Sequence, residues 1–226
     1  RQSVLQLDHK EKQMSKITDI QPQKRNKNRV NVYVDGEYTL ALELLTVMKL
    51  GLKIGTEVTE ADLAAATEDT EKSVALEKAM NYIARGSKTS WQLRKYLTDK
   101  EYAPAVINYV MDKMKYYGYV DDKAYAEAYA RQNSQTKGAR RIKQELLQRG
   151  INVADAEHFS EQDDETSGEN AERLAQRFMR GKSCDIKTLQ RLQRYLVSRG
   201  YDFDVVNGIL RKYKQRAADI PTDIDD

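Results

Sequence analysis

The sequence is poor in the residues that build disulfides, metal sites and nucleophilic centres. Cys184 is its one cysteine, and His9 and His158 are its two histidines. A lone cysteine closes no internal disulfide and supplies no Cys-pair metal site, so a buried or idle thiol in a cytoplasmic protein is expected. With so little histidine, no Ser/His/Asp or Cys/His arrangement can be assembled, which sets aside a hydrolase or nuclease. The adjacent carboxylates Asp121-Asp122 and Asp163-Asp164 would point about 100 degrees apart on a helix, so they read as caps or solvated groups and not as a catalytic dyad. No glycine-rich phosphate loop is present, hence no nucleotide site, cofactor or metal is expected. No apolar run approaches the ~20 residues that span a bilayer, and no charged start leads into an apolar core of the secretory kind. The chain opens at Arg1, as expected of a processed or trimmed protein.

Charge, by contrast, is abundant and segregated. Charged residues make up 32% of the 226 residues, yet the net charge is only +3. Glu157, Glu161, Asp163, Asp164, Glu165, Glu169 and Glu172 follow one another with no Lys or Arg between them. Residues 173–216 then carry twelve bases against three acids, and residues 85–149 fourteen against seven. Two basic stretches joined by an acidic hinge would present themselves to a polyanion.

The stretch that organises the chain is 118–151, GYVDDKAYAEAYARQNSQTKGARRIKQELLQRGI. Asp121 and Asp122 stand where carboxylates cap a helix; Tyr125, Ala128 and Tyr129 share one face; Lys137-Gly138 breaks the run; Ala139 restarts it. The second helix should bury Ile142, Leu146 and Leu147 and close on a left-handed cap at Gly150. Its pattern recurs. Leu93, Leu97 and Tyr102, then Ile142, Leu146 and Ile151, then Leu192, Leu196 and Tyr201 fit one template at offsets of 49 and 50 residues. A third helix follows in the outer copies, where Val106, Ile107, Val110, Met111 and Met114 each lie 99 residues before Val205, Val206, Ile209, Leu210 and Tyr213. The middle copy offers the shorter stripe Val153, Ala156 and Phe159. Helices are expected near 72–86, 89–99, 103–117, 122–136, 138–149, 152–161, 168–180, 184–199 and 202–215.

Residues 17–67 read differently. Val30, Val32 and Val34 alternate, Asp35-Gly36 is a hairpin turn, and Tyr38, Leu40 and Leu42 alternate back. Residues 17–21 would add a third strand. A short helix should run over 44–49 to Gly51, and another over 59–66 from a capping box of Thr59 and Asp62. A cap this small should pack on the first helical repeat. Lys24, Arg25, Lys27 and Arg29 make its entering loop basic. The expected fold is mainly α: tandem three-helix repeats in an elongated curved array behind a small β-hairpin-containing cap. The divisions are a flexible tail at 1–16, the cap at 17–70, repeats at 71–120, 121–162 and 169–216, an acidic hinge at 163–168 and an acidic tail at 217–226.

The same stretch, with ALEKAMNYIARGSKTSWQLRKYL before it, closely resembles the RecX family of bacterial recombination regulators over residues 17–215. Gly86-Ser87-Lys88-Thr89 stands where that family usually writes Arg-x-Arg-Ser, with Thr89 still able to cap and Lys88 keeping one charge. The resemblance implies a non-enzymatic regulator of DNA recombination, DNA repair and the SOS response. It implies as partner the RecA recombinase filament, in whose groove the chain would lie while lowering strand exchange and ATP turnover. Contact with single-stranded DNA, no membrane partner and a monomeric chain complete the expectation. Basic residues recur around the apolar stripe of each repeat: Lys88, Arg94 and Lys95, then Lys137, Arg140, Arg141, Lys143 and Arg149, then Lys187, Arg191 and Arg194. They are the candidate filament- or DNA-binding set, with 137–141 the foremost because charge gathers at a helix start. Trp91 is expected to anchor the first repeat, and Tyr116, Tyr117 and Tyr119 to cover an interface. The alternative is a sequence-tolerant DNA-binding protein of helix-turn-helix type acting alone.

Overall fold

The computed structural model describes residues 14–161 and 164–218, with the side chains of 164, 217 and 218 left aside. Of the expected terminal tails, residues 1–13 and 219–226 lie outside the described residues, as does Asp163 of the expected hinge, whereas residues 15–16 are strand and 217–218 helix. Two compact units emerge. Among the described residues, one comprises those up to Arg85 with Leu97–Lys113, the other Gly86–Tyr96 with those from Met114 onward.

The first unit begins with β1 (Ser15–Pro22), β2 (Arg29–Val34) and β3 (Glu37–Glu43), followed by α1 (Leu44–Lys49), β4 (Glu57–Val58) and α2 (Glu60–Ile83). The sheet is antiparallel in the order β3-β2-β1-β4. Asp35 and Gly36 both take positive φ, 52° and 90°, the conformation that lets a two-residue turn follow the twist of its strands. Ile17, Val30, Val32, Val34 and Leu42 fill the inner face with Val47, Val58 and Ala66. Tyr38 departs from the expected alternation. A register shift between Val32 and Tyr33 sets it opposite Tyr33, where it lies 58% exposed and meets that ring edge-on. The strand β4 was not foreseen, because two residues carry no periodicity to read.

Thr59 and Asp62 form the expected capping box, but the helix they start does not stop at 66. It runs for 24 residues in all, from Glu60 to Ile83, burying Ala66, Thr70, Ala75 and Ala79. Small residues give that face too weak a pattern to bridge the expected gap. Thr70 is buried at no cost to its hydroxyl, which accepts the Glu43 N–H at 3.2 Å, and Asp69 pairs with Lys49 on α1.

The helical repeats follow as α3 (Ser90–Thr98), α4 (Pro104–Tyr116), α5 (Asp122–Asn133), α6 (Ala139–Gln148), α7 (Val153–Ser160), α8 (Asp164–Met179), α9 (Ile186–Ser198) and α10 (Phe203–Ala218). Because α8 starts at Asp164, residues 165–168 of the expected hinge are helical. Leu93, Leu97, Ile142, Leu146, Leu192 and Leu196 are each wholly buried, and a fully buried side chain of this size contributes about 2 kcal/mol. Leu147 is instead 38% exposed while Glu145 is buried. Positions 142, 145 and 146 share the inward face of α6, and 147 is carried off it by the next 100° step.

One turn closes the second helix of all three repeats. The N–H groups of Tyr102, Ile151 and Tyr201 donate to the carbonyls of Leu97, Leu146 and Leu196 at 3.4, 3.1 and 3.3 Å, the six-to-one bond of a Schellman cap. The residue before each, Glu101, Gly150 or Gly200, takes a positive φ of 61°, 80° or 87°.

The two glycines have a second reason to be glycine. A β-carbon on Gly150 would fall 2.2 Å from Trp91 Cβ, and one on Gly200 would fall 2.4 Å from the backbone nitrogen of Arg141. The neighbouring carbonyls complete these contacts: Thr89 Oγ1 donates to Arg149 O at 2.6 Å, and Gly138 N donates to Arg199 O at 2.9 Å. Trp91 therefore anchors through its stem, the residue staying 48% exposed. Gly138 is held equally tightly, since its β-carbon would meet Gly200 O at 2.4 Å. Gly200→Ala should cost about 2–4 kcal/mol, from left-handed backbone plus overpacking, and lower the melting temperature by about 5–15 °C. Gly118→Ala, at positive φ but with nothing within 4 Å, should cost about 1–2 kcal/mol. Calorimetry giving equal losses for the two would contradict the packing argument.

Candidate polyanion-binding surface

The second repeat pairs its foremost cations with acids, two of them with one buried carboxylate. Glu145 is 8% exposed and accepts from Lys137 Nζ at 2.6 Å, from Arg141 Nε at 2.8 Å and from the Tyr129 hydroxyl. Arg149 lies over the Tyr129 ring at 4.4 Å and donates to Glu145 O at 2.8 Å, while Tyr125 stacks on Tyr129. Burial alone would raise the Glu145 carboxyl, but the bonds from Lys137, Tyr129 and Arg141 outweigh it and hold the group at about 2. Burial likewise opposes the Lys137 charge, and Glu145 and Tyr129 more than restore it, raising its pKa. Tyr129 is raised by burial and by Glu145.

Lys137 and Arg141 thus share one carboxylate, while Arg149 is held by the Glu145 backbone carbonyl and the Tyr129 ring. Glu145 itself escaped the sequence reading, although an acid four residues after Arg141 in an otherwise basic helix was the available signal. Two further cations of this repeat are paired at the surface. Arg140 Nε reaches Asp202 at 2.8 Å with its guanidinium 5.8 Å from the Phe203 ring centre, and Lys143 pairs with Glu157. The remaining candidates stand elsewhere. Arg94 and Lys95 are exposed on α3, and Lys88 is half-buried ahead of it.

Lys187, Arg191 and Arg194 lie exposed on α9, where spacings of four and three put them on one stripe. None of the three forms an ion pair among the described residues, Arg194 Nε donating only to Gln190 O at 3.4 Å. The helix holds no acid, and Asp185 caps it by accepting from Thr188 N at 2.7 Å. Of the other expectations, Asp121 caps α5 through Lys123 N and Ala124 N, and Asp122 accepts from Ser90 N at 2.7 Å. Thr89 forms a reciprocal box with Gln92. Tyr116, Tyr117 and Tyr119 are 82%, 59% and 51% exposed and touch one another edge-on or tilted. Cys184 is half-buried, its thiol donating to Tyr213 O at 3.3 Å, and His158 is exposed beside Phe159. Among the described residues no three His, Cys, Asp or Glu side chains gather as metal ligands, and no helix is long and apolar enough to cross a membrane.

This sheet followed by three helix triads has known counterparts. Residues 15–59 match the family model described as the regulatory protein RecX N-terminal domain, and 75–114, 121–158 and 165–210 match the first, second and third three-helix domains of RecX. The chain belongs to the RecX family. Members are regulatory proteins, not enzymes. Regulatory protein RecX of Clostridium botulinum (strain Alaska E43 / Type E3) is 31% identical over 204 residues, 88% of this chain and 96% of that one. The RecX of Clostridioides difficile (strain 630) is 34% identical over the same coverage. A crystal structure of regulatory protein RecX superposes with a TM-score of 0.67 at 27% identity, covering 86% of this chain and 98% of that one. RecX from Lactobacillus salivarius, at 23% identity and a TM-score of 0.58 over 64% of this chain and 97% of its own, shares the fold.

The Glu145 cluster makes a pH prediction. The folded carboxyl sits near 2 against an ordinary 4.5, so its contribution is complete above 4.5 and is lost as pH falls toward 2, about 3 kcal/mol in all. Glu145→Gln should be less stable than the intact chain by about that amount at pH 7, and the two should converge near pH 2. Denaturant titrations across this range that keep a constant gap would show that the carboxylate is not held as described.

Proposed function

We propose that this chain binds RecA filaments assembled on single-stranded DNA and, as a monomer, lowers their strand exchange and ATP turnover. Family membership supports the reading. The observation that carries it is the stripe Lys187, Arg191 and Arg194, cations on an acid-free helix that no carboxylate among the described residues neutralises. A charge held in that state favours a negatively charged surface at close range and steers its approach. The repeated three-helix unit adds a second support. Its periodicity suits a partner that is itself periodic, because weak contacts made by successive modules sum through effective concentration. Lys137 and Arg141 serve a structural role in this scheme and leave binding to α9, with Arg94 and Lys95 of α3 contributing.

Adding the chain to RecA on single-stranded DNA should slow DNA-dependent ATP hydrolysis at less than one molecule per RecA protomer. No effect at equimolar protein would remove the reading. Lys187→Glu with Arg191→Glu should fold normally and require at least about tenfold more protein for the same slowing, equal to ~1.4 kcal/mol of lost contact. Arg141→Glu, placed beside Glu145, should lower stability before it lowers binding.

A further inference from the structure

We propose that the groove between α9 and α10 is a track for the backbone of a single nucleic-acid strand, which extends the proposed filament reading to direct contact with the nucleic acid. Two adjoining recesses form it. One is lined by Ile186, Leu189, Gln190, Gln193, Leu210 and Lys214, and the other by Gln193, Asn207, Leu210, Arg211 and Lys214. No carboxylate lines either. Leu210 is the buried floor, and Ile186, 75% exposed, stands at one end. Arg211 Nε donates only to Asn207 O at 3.4 Å, and neither Arg211 nor Lys214 has an acidic partner among the described residues.

The other side of α10 is different and makes the comparison sharp. There Lys212 reaches Glu172 at 3.4 Å, and the recess beside it holds Asp202 and Asp204 along with Arg140. One face of the helix is internally compensated, while the groove face is left cationic. An acidic protein surface would need the cations alone. The groove adds three carboxamides, from Gln190, Gln193 and Asn207, which donate and accept, and an apolar floor. That mixture fits the alternation of phosphate with sugar and base along a strand, and it carries no pattern that would select one base over another.

The test is fluorescence anisotropy of the full chain with a labelled oligo-dT of about 20 nucleotides, between about 50 and 200 mM salt. Binding should fall with salt, and Arg211→Gln with Lys214→Gln should flatten the log-log slope by about 1.4, since each single-strand phosphate contact accounts for ~0.7. Lys212→Gln, which removes a cation from the compensated face, should leave the slope unchanged. Thermal melts matching the intact chain confirm that the double variant folds. A slope unmoved by the double substitution overturns the proposal. So does polyglutamate competing as well as oligo-dT at equal charge, which would assign the groove to an acidic protein. RecA ATP turnover measured with the same variants separates the two readings. Slowed turnover with an unmoved DNA slope sinks the groove alone; a flattened slope from a chain that never slows turnover sinks the filament reading alone.

Discussion

The helix repeats depend on a backbone contact that leaves no room for a β-carbon. Where the second helix of a repeat ends, the chain must reverse into a left-handed residue so that the next N–H can reach back six positions. In the second and third repeats that residue also presses on the helix start of the repeat before it, Gly150 against Trp91 and Gly200 against Arg141. The neighbouring carbonyls, Arg149 O and Arg199 O, then find donors in Thr89 and Gly138. Helix-end carbonyls that would otherwise need water are thus satisfied by the adjoining repeat, and the same atoms set how closely the repeats approach. In the first repeat the equivalent position is Glu101, exposed and still at positive φ. With no earlier repeat to press on, a side chain is tolerated there at the cost of the strained backbone alone. The glycine follows the inter-repeat contact and not the turn.

A second constraint explains why the most basic segment is not the most available one. Sequence places Lys137, Arg140 and Arg141 at a helix start, where the dipole gives no compensation for positive charge. The fold answers by supplying acids: Glu145 from the inward face of α6, Asp202 from the turn before α10 and Glu157 from α7 for the nearby Lys143. Charge that must be neutralised to let a helix begin is poorly placed to neutralise a partner. On α9 the arrangement is reversed. Asp185 caps the helix start, and Lys187, Arg191 and Arg194 are left outside.

Much of this was legible in the sequence, and the reasons are physical. The stripes of α3, α6 and α9, the third helices α4 and α10, the hairpin turn and the capping box at Thr59 all rest on large apolar side chains at fixed period or on residues with one strong backbone role, and both leave marks in a linear text. What escaped has the opposite character. The continuous α2 buries alanine and threonine, which carry little periodic signal. Tyr38 faces outward because of a bulge, a one-residue event that alternation cannot anticipate. Glu145 is buried because three donors reach it from separate places in the chain, and a count of charges sees only an acid among bases.

The candidate surface was legible in part for the same reason. Sequence counts cations, but availability depends on where the acids go, and that is decided by packing. Lys137 and Lys187 are equivalent in composition and in their place near the start of a repeated helix. One is bonded to a buried carboxylate while the other is exposed. A repeat architecture makes such divergence inexpensive, since each unit keeps its leucines and its turn while its outward charges change independently. The α9 cations of the third triad stay uncompensated where those around α6 in the second are mostly paired with acids, and the two triads keep the same pattern of buried leucines and isoleucine beneath.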